Sequence, residues 1–280
     1  MPVFGISFAG HHIRIKHESD QVATYLNVLF ADLSAGPIEH SEIELSIRKA
    51  KNSGSFIISS GSAQLFEGQL GVEAAATLYD AVIYNLLNHN NNGVALHSGA
   101  VSHKGRCILL PGGSGAGKSS VAAYLTANGF NYATDELIFF YNPTMNDFIP
   151  FTRPVCLKAG SIQALAKEII SPKNSWLVDG AGAIIPHRFL NPRFSNRRHS
   201  PELLLFPFYK NNAMTRVEKL SGAQTSARLM GCCANARNLA GHGFNQIVSL
   251  ARLKPAFQLT FGSFSGLEMT VKNLLETLDT

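Results

Sequence analysis

The run Gly112-Gly113-Ser114-Gly115-Ala116-Gly117-Lys118-Ser119 satisfies G-x-x-x-x-G-K-[ST], with an apolar stretch before it and a helical pattern after it. Glycines let the backbone wrap a phosphate so that several N–H groups point inward with no Cβ in the way. The start of the following helix adds the positive end of its dipole. Lys118 supplies a cation for β and γ phosphates, and the Ser119 hydroxyl suits Mg²⁺. With Ser120 behind it, this stretch is the expected nucleotide-binding set, and ATP with Mg²⁺ its expected ligands.

Two further features bear on what happens to a bound triphosphate. Asp135-Glu136 interrupts the apolar stretch Asn131–Tyr141, read as one strand. Neighbouring strand residues face opposite ways, so both acids serve one site only where the strand ends or kinks. Metal coordination and proton abstraction are the functional reading; a solvated pair at a surface strand end is the alternative. His97 is the second feature. A turn over Ser102–Gly105 would set Val101 opposite Arg106 and His97 opposite Leu110, beside the mouth of the glycine loop. There it can bond a phosphate or position an acceptor; a histidine in an apolar strand is otherwise a satisfied core residue.

The elements that must hold these groups are legible in outline. Phe4–Lys16 alternates around Gly10 as a strand pair, and Gln21–Leu33 carries a helical apolar stripe. Ser46–Ala50 and Ser55–Glu67, broken at Gly61, read as strands, and Val72–Asn88 as an amphipathic helix. The Asn-rich run His89–Gly93 marks the expected boundary between a small α+β lobe, residues 1–90, and a catalytic domain, residues 91–280. Beyond it come strands at Val94–Val101 and Cys107–Leu110, and a helix at Lys118–Asn128 stopped by Gly129. Pro154–Lys158 and Glu202–Phe208 read as strands, and Val271–Leu278 as a closing helix. Strands alternating with helices predict an α/β core.

Composition narrows the field. Charged residues make up 15 % of the 280, against about 25 % in an average chain, and hydrophobic ones 45 %. That excludes a disordered or fibrous chain. The net charge of +5 is not gathered into a basic stripe, and no aromatic-basic interleaving occurs, so no nucleic-acid partner is expected. Four cysteines form no C-x-x-C pair and read as reduced thiols. Met1–His11 does not read as a signal peptide and no spanning apolar run is present, so the expectation is a cytoplasmic protein without membrane contact.

Leu96-His97-Ser98-Gly99-Ala100-Val101, then Gly105–Leu110, the glycine loop and Ala133-Thr134-Asp135-Glu136 together resemble the catalytic core of HPr kinase/phosphorylase. They look closer still to the HPr-kinase-related branch of peptide-modification kinases of the lasso-peptide type. The resemblance spans Val94 to Lys158. It implies a P-loop-containing mixed-sheet core shared with phosphoenolpyruvate carboxykinase, and a kinase that phosphorylates serine on a peptide or protein. It makes Asp135 the base or a metal ligand, gives Glu136 a share of the metal, and sets His97 near the γ phosphate. Pro150–Lys158 is similar to a segment of the related branch; there Arg153 is the expected transition-state cation, with Lys158 a lesser phosphate contact. The parent family's segment that contributes to its hexamer and to phosphorolysis is not found, so neither property follows. HPr itself does not follow as substrate, since residues 1–90 do not read as the parent's regulatory domain. A small-molecule kinase on the same core, and a nucleotide-binding regulator without transfer, remain the alternatives. Gly180-Ala181-Gly182 reads as a turn, Arg193, Arg197, Arg198 and His199 as loop cations, Cys232-Cys233 as packing within a helix-like Ser226–Leu239, and His242 as a loop residue.

Overall fold

A computed structural model of the chain describes all residues except 37, 39–40, 42–43, 52–53, 89, 142–143, 166–176, 195–196 and 279–280. The boundary residue His89 lies outside the described residues.

The first sheet has five strands in chain order, β1 (Val3–Phe8), β2 (His11–His17), β3 (Glu44–Lys49), β4 (Phe56–Ser60) and β5 (Ala63–Gly68). Ala9 and Gly10, both at positive φ, make the two-residue turn between β1 and β2. Helix α1 (Asp20–Phe30) starts where the Ser19 hydroxyl accepts a hydrogen bond from the Val22 N–H, and buries Val22, Tyr25, Leu26, Leu29 and Phe30. Helix α2 (Val72–Leu87) leads out of this sheet. Its N-cap, Gly71, has no side chain to offer; the Asp179 carboxylate, more than a hundred residues on, accepts from the Val72 N–H at 2.8 Å instead.

The second sheet holds the glycine loop. Its strands are β6 (Gly93–His103) and β7 (Arg106–Pro111), then, after α3 (Lys118–Ala127), β8 (Asn131–Thr134), β9 (Leu137–Tyr141) and β10 (Phe148–Pro150). A small three-stranded sheet follows, from β11 (Val155–Lys158), then, after helix α4 (Ala159–Leu165), β12 (Leu177–Asp179) and β13 (Gly182–Ile185). After the short helix α5 (His187–Leu190) the chain returns to the second sheet with β14 (Pro201–Tyr209) and β15 (Arg216–Lys219). Helices α6 (Gly222–Met230) and α7 (Phe244–Leu253), strand β16 (Ala256–Phe261) and helix α8 (Leu267–Glu276) complete it. The order across the sheet is β10-β9-β6-β7-β14-β16-β15, with β8 also paired to β6. β14 runs parallel to both β7 and β16; the other pairs are antiparallel. One face packs α3 and α8 through Val121, Leu125, Val271 and Leu275; the other packs α6 and α7 through Leu229, Ile247 and Leu250. The core beneath the first sheet and α2 continues into Ala95, Leu137, Phe139, Phe151 and Ile184. Among the described residues no helix is long and apolar enough to cross a membrane.

Three sequence expectations change. The β6–β7 turn is two residues, Lys104-Gly105, both at positive φ, so the register is His103 opposite Arg106 and Gly99, not His97, opposite Leu110. The shift is by two residues, so His97 keeps its face and moves two positions further out, past the end of β7. Asn131–Tyr141 is two strands, β8 and β9, interrupted at Asp135-Glu136. Ser226–Leu239 is not one helix: α6 ends before Gly231, and Cys233 forms a bridge with Leu96.

Candidate active site

The loop 112–117 leaves the end of β7, sheet neighbour of β14, and enters α3 through Gly117 at φ +98°. Gly115 lies at φ +83°. A Cβ on Gly117 would stand 3.1 Å from the Phe261 ring, a tight contact, and any side chain would be strained at this φ. The Lys118 ammonium donates to the Gly113 carbonyl at 3.0 Å, and that of Lys158 to the Ser114 hydroxyl at 3.2 Å. The first-turn N–H groups of α3 have no intrahelical acceptors and point toward the loop.

This loop forms one wall of a cavity of about 710 Å³. Gly112, Gly113, Ser114, Gly115, Gly117, Lys118, Ser119 and Ser120 line it; Ala116 does not. His97, Glu136, Arg153 and Lys158 line the same space. Helix α2 brings Glu73, Tyr79 and Asp80, none of which the sequence analysis singles out. Glu73 and Asp80 are seven residues apart, two helical turns, and so share one face, a pattern that does not tell a cavity wall from a solvated side.

The acid pair is divided between two environments. The break between β8 and β9 leaves the pairing with β6 in step: Ala100 pairs with Thr134 and His97 with Leu137. Thr134 staples it, its hydroxyl accepting from the Glu136 N–H at 3.2 Å and donating to the Phe151 carbonyl at 2.7 Å. Asp135, expected to face the reaction, is fully buried and does not line the cavity. Its Oδ1 accepts from Arg153 Nε at 3.0 Å and from the Tyr132 hydroxyl at 3.2 Å, and its Oδ2 from the Cys156 N–H at 3.1 Å. Glu136 is the acid that reaches the cavity. Its Oε2 accepts from Arg153 Nη2 at 2.6 Å, and its Oε1 lies 3.3 Å from His97 Nδ1.

Arg153 therefore joins both acids, and its guanidinium also lies 4.6 Å from the centre of the Tyr79 ring. Burial opposes its charge, but Asp135, Cys156 and Glu136 raise its proton affinity further, so it stays a cation. Burial also works against ionised Glu136, yet Arg153, the His97 hydrogen bond and the Lys118 charge outweigh it and hold the carboxyl at about 2. Asp80 moves the other way: burial and the nearby Glu136 raise its pKa, opposed in part by Arg153 and His97. Burial pushes the Cys156 thiol up to about 12, so it is no nucleophile at neutral pH.

The residues present suit a triphosphate with a magnesium ion. The loop turns through two glycines at positive φ, Gly115 and Gly117, and Lys118 and Lys158 supply charge. Among the described residues no three His, Cys, Asp or Glu side chains gather to hold a metal alone. Magnesium commonly takes one or two carboxylates and completes its shell with phosphate oxygens and water, and Glu136 with Ser119 are oxygen donors of that kind.

No family model matches the chain, and no curated protein matches it. Among solved structures it is similar to the Hpr(Ser) kinase/phosphatase from Coxiella burnetii, at 14 % identity and a TM-score of 0.33, over 66 % of this chain and 95 % of that one. The similarity is distant, and what the cavity does rests on its own geometry.

Proposed function

We propose that the chain is an ATP- and Mg²⁺-dependent phosphotransferase of the HPr-kinase-like kind, acting on a serine hydroxyl of a peptide or protein in the cytoplasm. One observation carries the reading: the glycine loop with Lys118 and the linked Glu136, His97 and Arg153 line one cavity. The serine acceptor and the kinship with the peptide-modifying branch rest on the sequence resemblance.

In this reading the loop amides and Lys118 hold the β and γ phosphates, with Lys158 as a further cation. Ser119 and Glu136 hold the metal, which when bound offsets charge on the phosphate oxygens. A carboxyl held near 2 is a weak proton acceptor and a good metal ligand. The acceptor's proton falls to Asp80, whose raised affinity suits that task better. Asp135 acts through Arg153, fixing the guanidinium where it can meet charge on the transferring group. His97 orients Glu136 and stands beside the terminal phosphate.

Incubation with γ-labelled ATP, Mg²⁺ and serine-bearing peptides tests this. Label should reach peptide, and Lys118→Ala should lower the rate by at least about a hundredfold. ATP binding with no transfer to any acceptor would leave the regulator reading; label on a small molecule alone would replace the peptide by that class.

A further inference from the structure

A second cavity, of about 550 Å³, lies on the other side of the glycine loop. It shares Gly112, Gly113 and Gly231 with the first, so the two adjoin at the loop. Their linings differ in kind. The first gathers the charged side chains Glu73, Asp80, Lys118, Glu136, Arg153 and Lys158, and the Tyr79 ring in its wall is already covered by the Arg153 guanidinium. The second is walled by Phe206, Pro207 and Phe208 at the end of β14, with Arg228 and Gln258 at its edge. Phe206 and Phe208 lie two apart on one strand and so face the same way. Phe206 is sealed into the core at 4 % exposure, whereas Phe208 is half-exposed at 50 %, its ring open to a partner. Arg228 donates through Nη2 to Gln258 Oε1 at 2.6 Å, and Gln258 Nε2 donates to the Thr260 hydroxyl at 3.0 Å. That fixes the guanidinium while leaving it further N–H groups for an outside acceptor.

We propose that this second cavity takes the nucleoside end of the triphosphate, with Phe208 as the stacking platform for the base and Arg228 facing acceptor atoms on its edge. The inference rests on the reading of the first cavity as a phosphate site, and adds where donor specificity resides. Pocket size agrees, since cavities of about 300–1,000 Å³ hold small ligands. A base laid on an exposed ring gains affinity that inorganic polyphosphate lacks.

Titration calorimetry with two probes, MgATP and magnesium tripolyphosphate, separates the two readings. Wild-type protein should bind ATP about tenfold or more tightly than tripolyphosphate. Phe208→Ala should weaken ATP by a similar factor and leave tripolyphosphate unchanged, and Phe208→Trp should restore ATP; the unchanged tripolyphosphate affinity also shows that the variant is folded. ATP affinity unaffected by Phe208→Ala, or equal wild-type affinity for the two probes, would overturn the inference while leaving the phosphate site intact. Wild-type protein that binds neither probe would overturn both.

Discussion

The neighbours Asp135 and Glu136 differ in length by one methylene and share Arg153, yet only one of them meets the cavity. The first is locked under Arg153, Tyr132 and the Cys156 amide; the second reaches the cavity. Removing charge from each should therefore do different things. Asp135→Asn leaves a buried guanidinium with less than its full complement and should cost about 3–5 kcal/mol of stability, read by urea unfolding. Glu136→Gln, at a half-buried site that reaches the cavity, should cost less stability and lower phosphotransfer by at least about a hundredfold. The reverse ranking would give Asp135 the role that the sequence resemblance implies. The residue types here were legible before any fold was known: Lys118, Ser119, His97, Glu136 and Arg153 all meet in one place. What the sequence did not carry is which acid faces in, because that depends on where Arg153 returns from 17 residues downstream.

Elements set that geometry through a few backbone positions. The glycine loop, both its flanking elements and the helix stop at Gly129 could be read from pattern alone. The register of β6 on β7 could not, because four polar or small residues from Ser102 to Gly105 admit turns of several lengths, each with its own register. Nor could the wall supplied by α2, since a polar face that lines a cavity looks in sequence like one that meets water. Gly117 is the most exacting position of the loop. Gly117→Ala puts a side chain in the left-handed region and presses it on Phe261. The expected cost is about 1–2 kcal/mol of stability by thermal or urea unfolding, together with weaker ATP binding. An alanine variant with wild-type affinity and stability would show that the loop does not need that turn.

At the scale of the molecule, the expected division at residue 90 runs through shared packing. Phe151 is buried against Phe8, ring centres 5.3 Å apart and nearly perpendicular, and Ala95, Leu137, Phe139 and Ile184 belong to the same core as α1 and α2. The Asn-rich loop gave a fair place to cut the sequence and no sign of that common core, which forms only between residues distant in the chain. A fragment of residues 91–280 would expose this apolar surface and lose Tyr79, Asp80 and Glu73 from the cavity. It should aggregate, or bind ATP at least about tenfold more weakly than the full chain, by light scattering and calorimetry. Equal behaviour would show that the second span folds and works alone.

The two ammonium groups already resting on the loop, Lys118 on the Gly113 carbonyl and Lys158 on the Ser114 hydroxyl, have a consequence for any polyanion that arrives. Positive charge is stationed at the entrance before binding rather than recruited by it, and each ammonium gives up a neutral acceptor for an ionised one. Much of the attraction is thus bare charge at a solvent-reached surface. Raising ionic strength from tens to hundreds of millimolar should slow capture and loosen the complex, with sulfate competing more strongly than chloride.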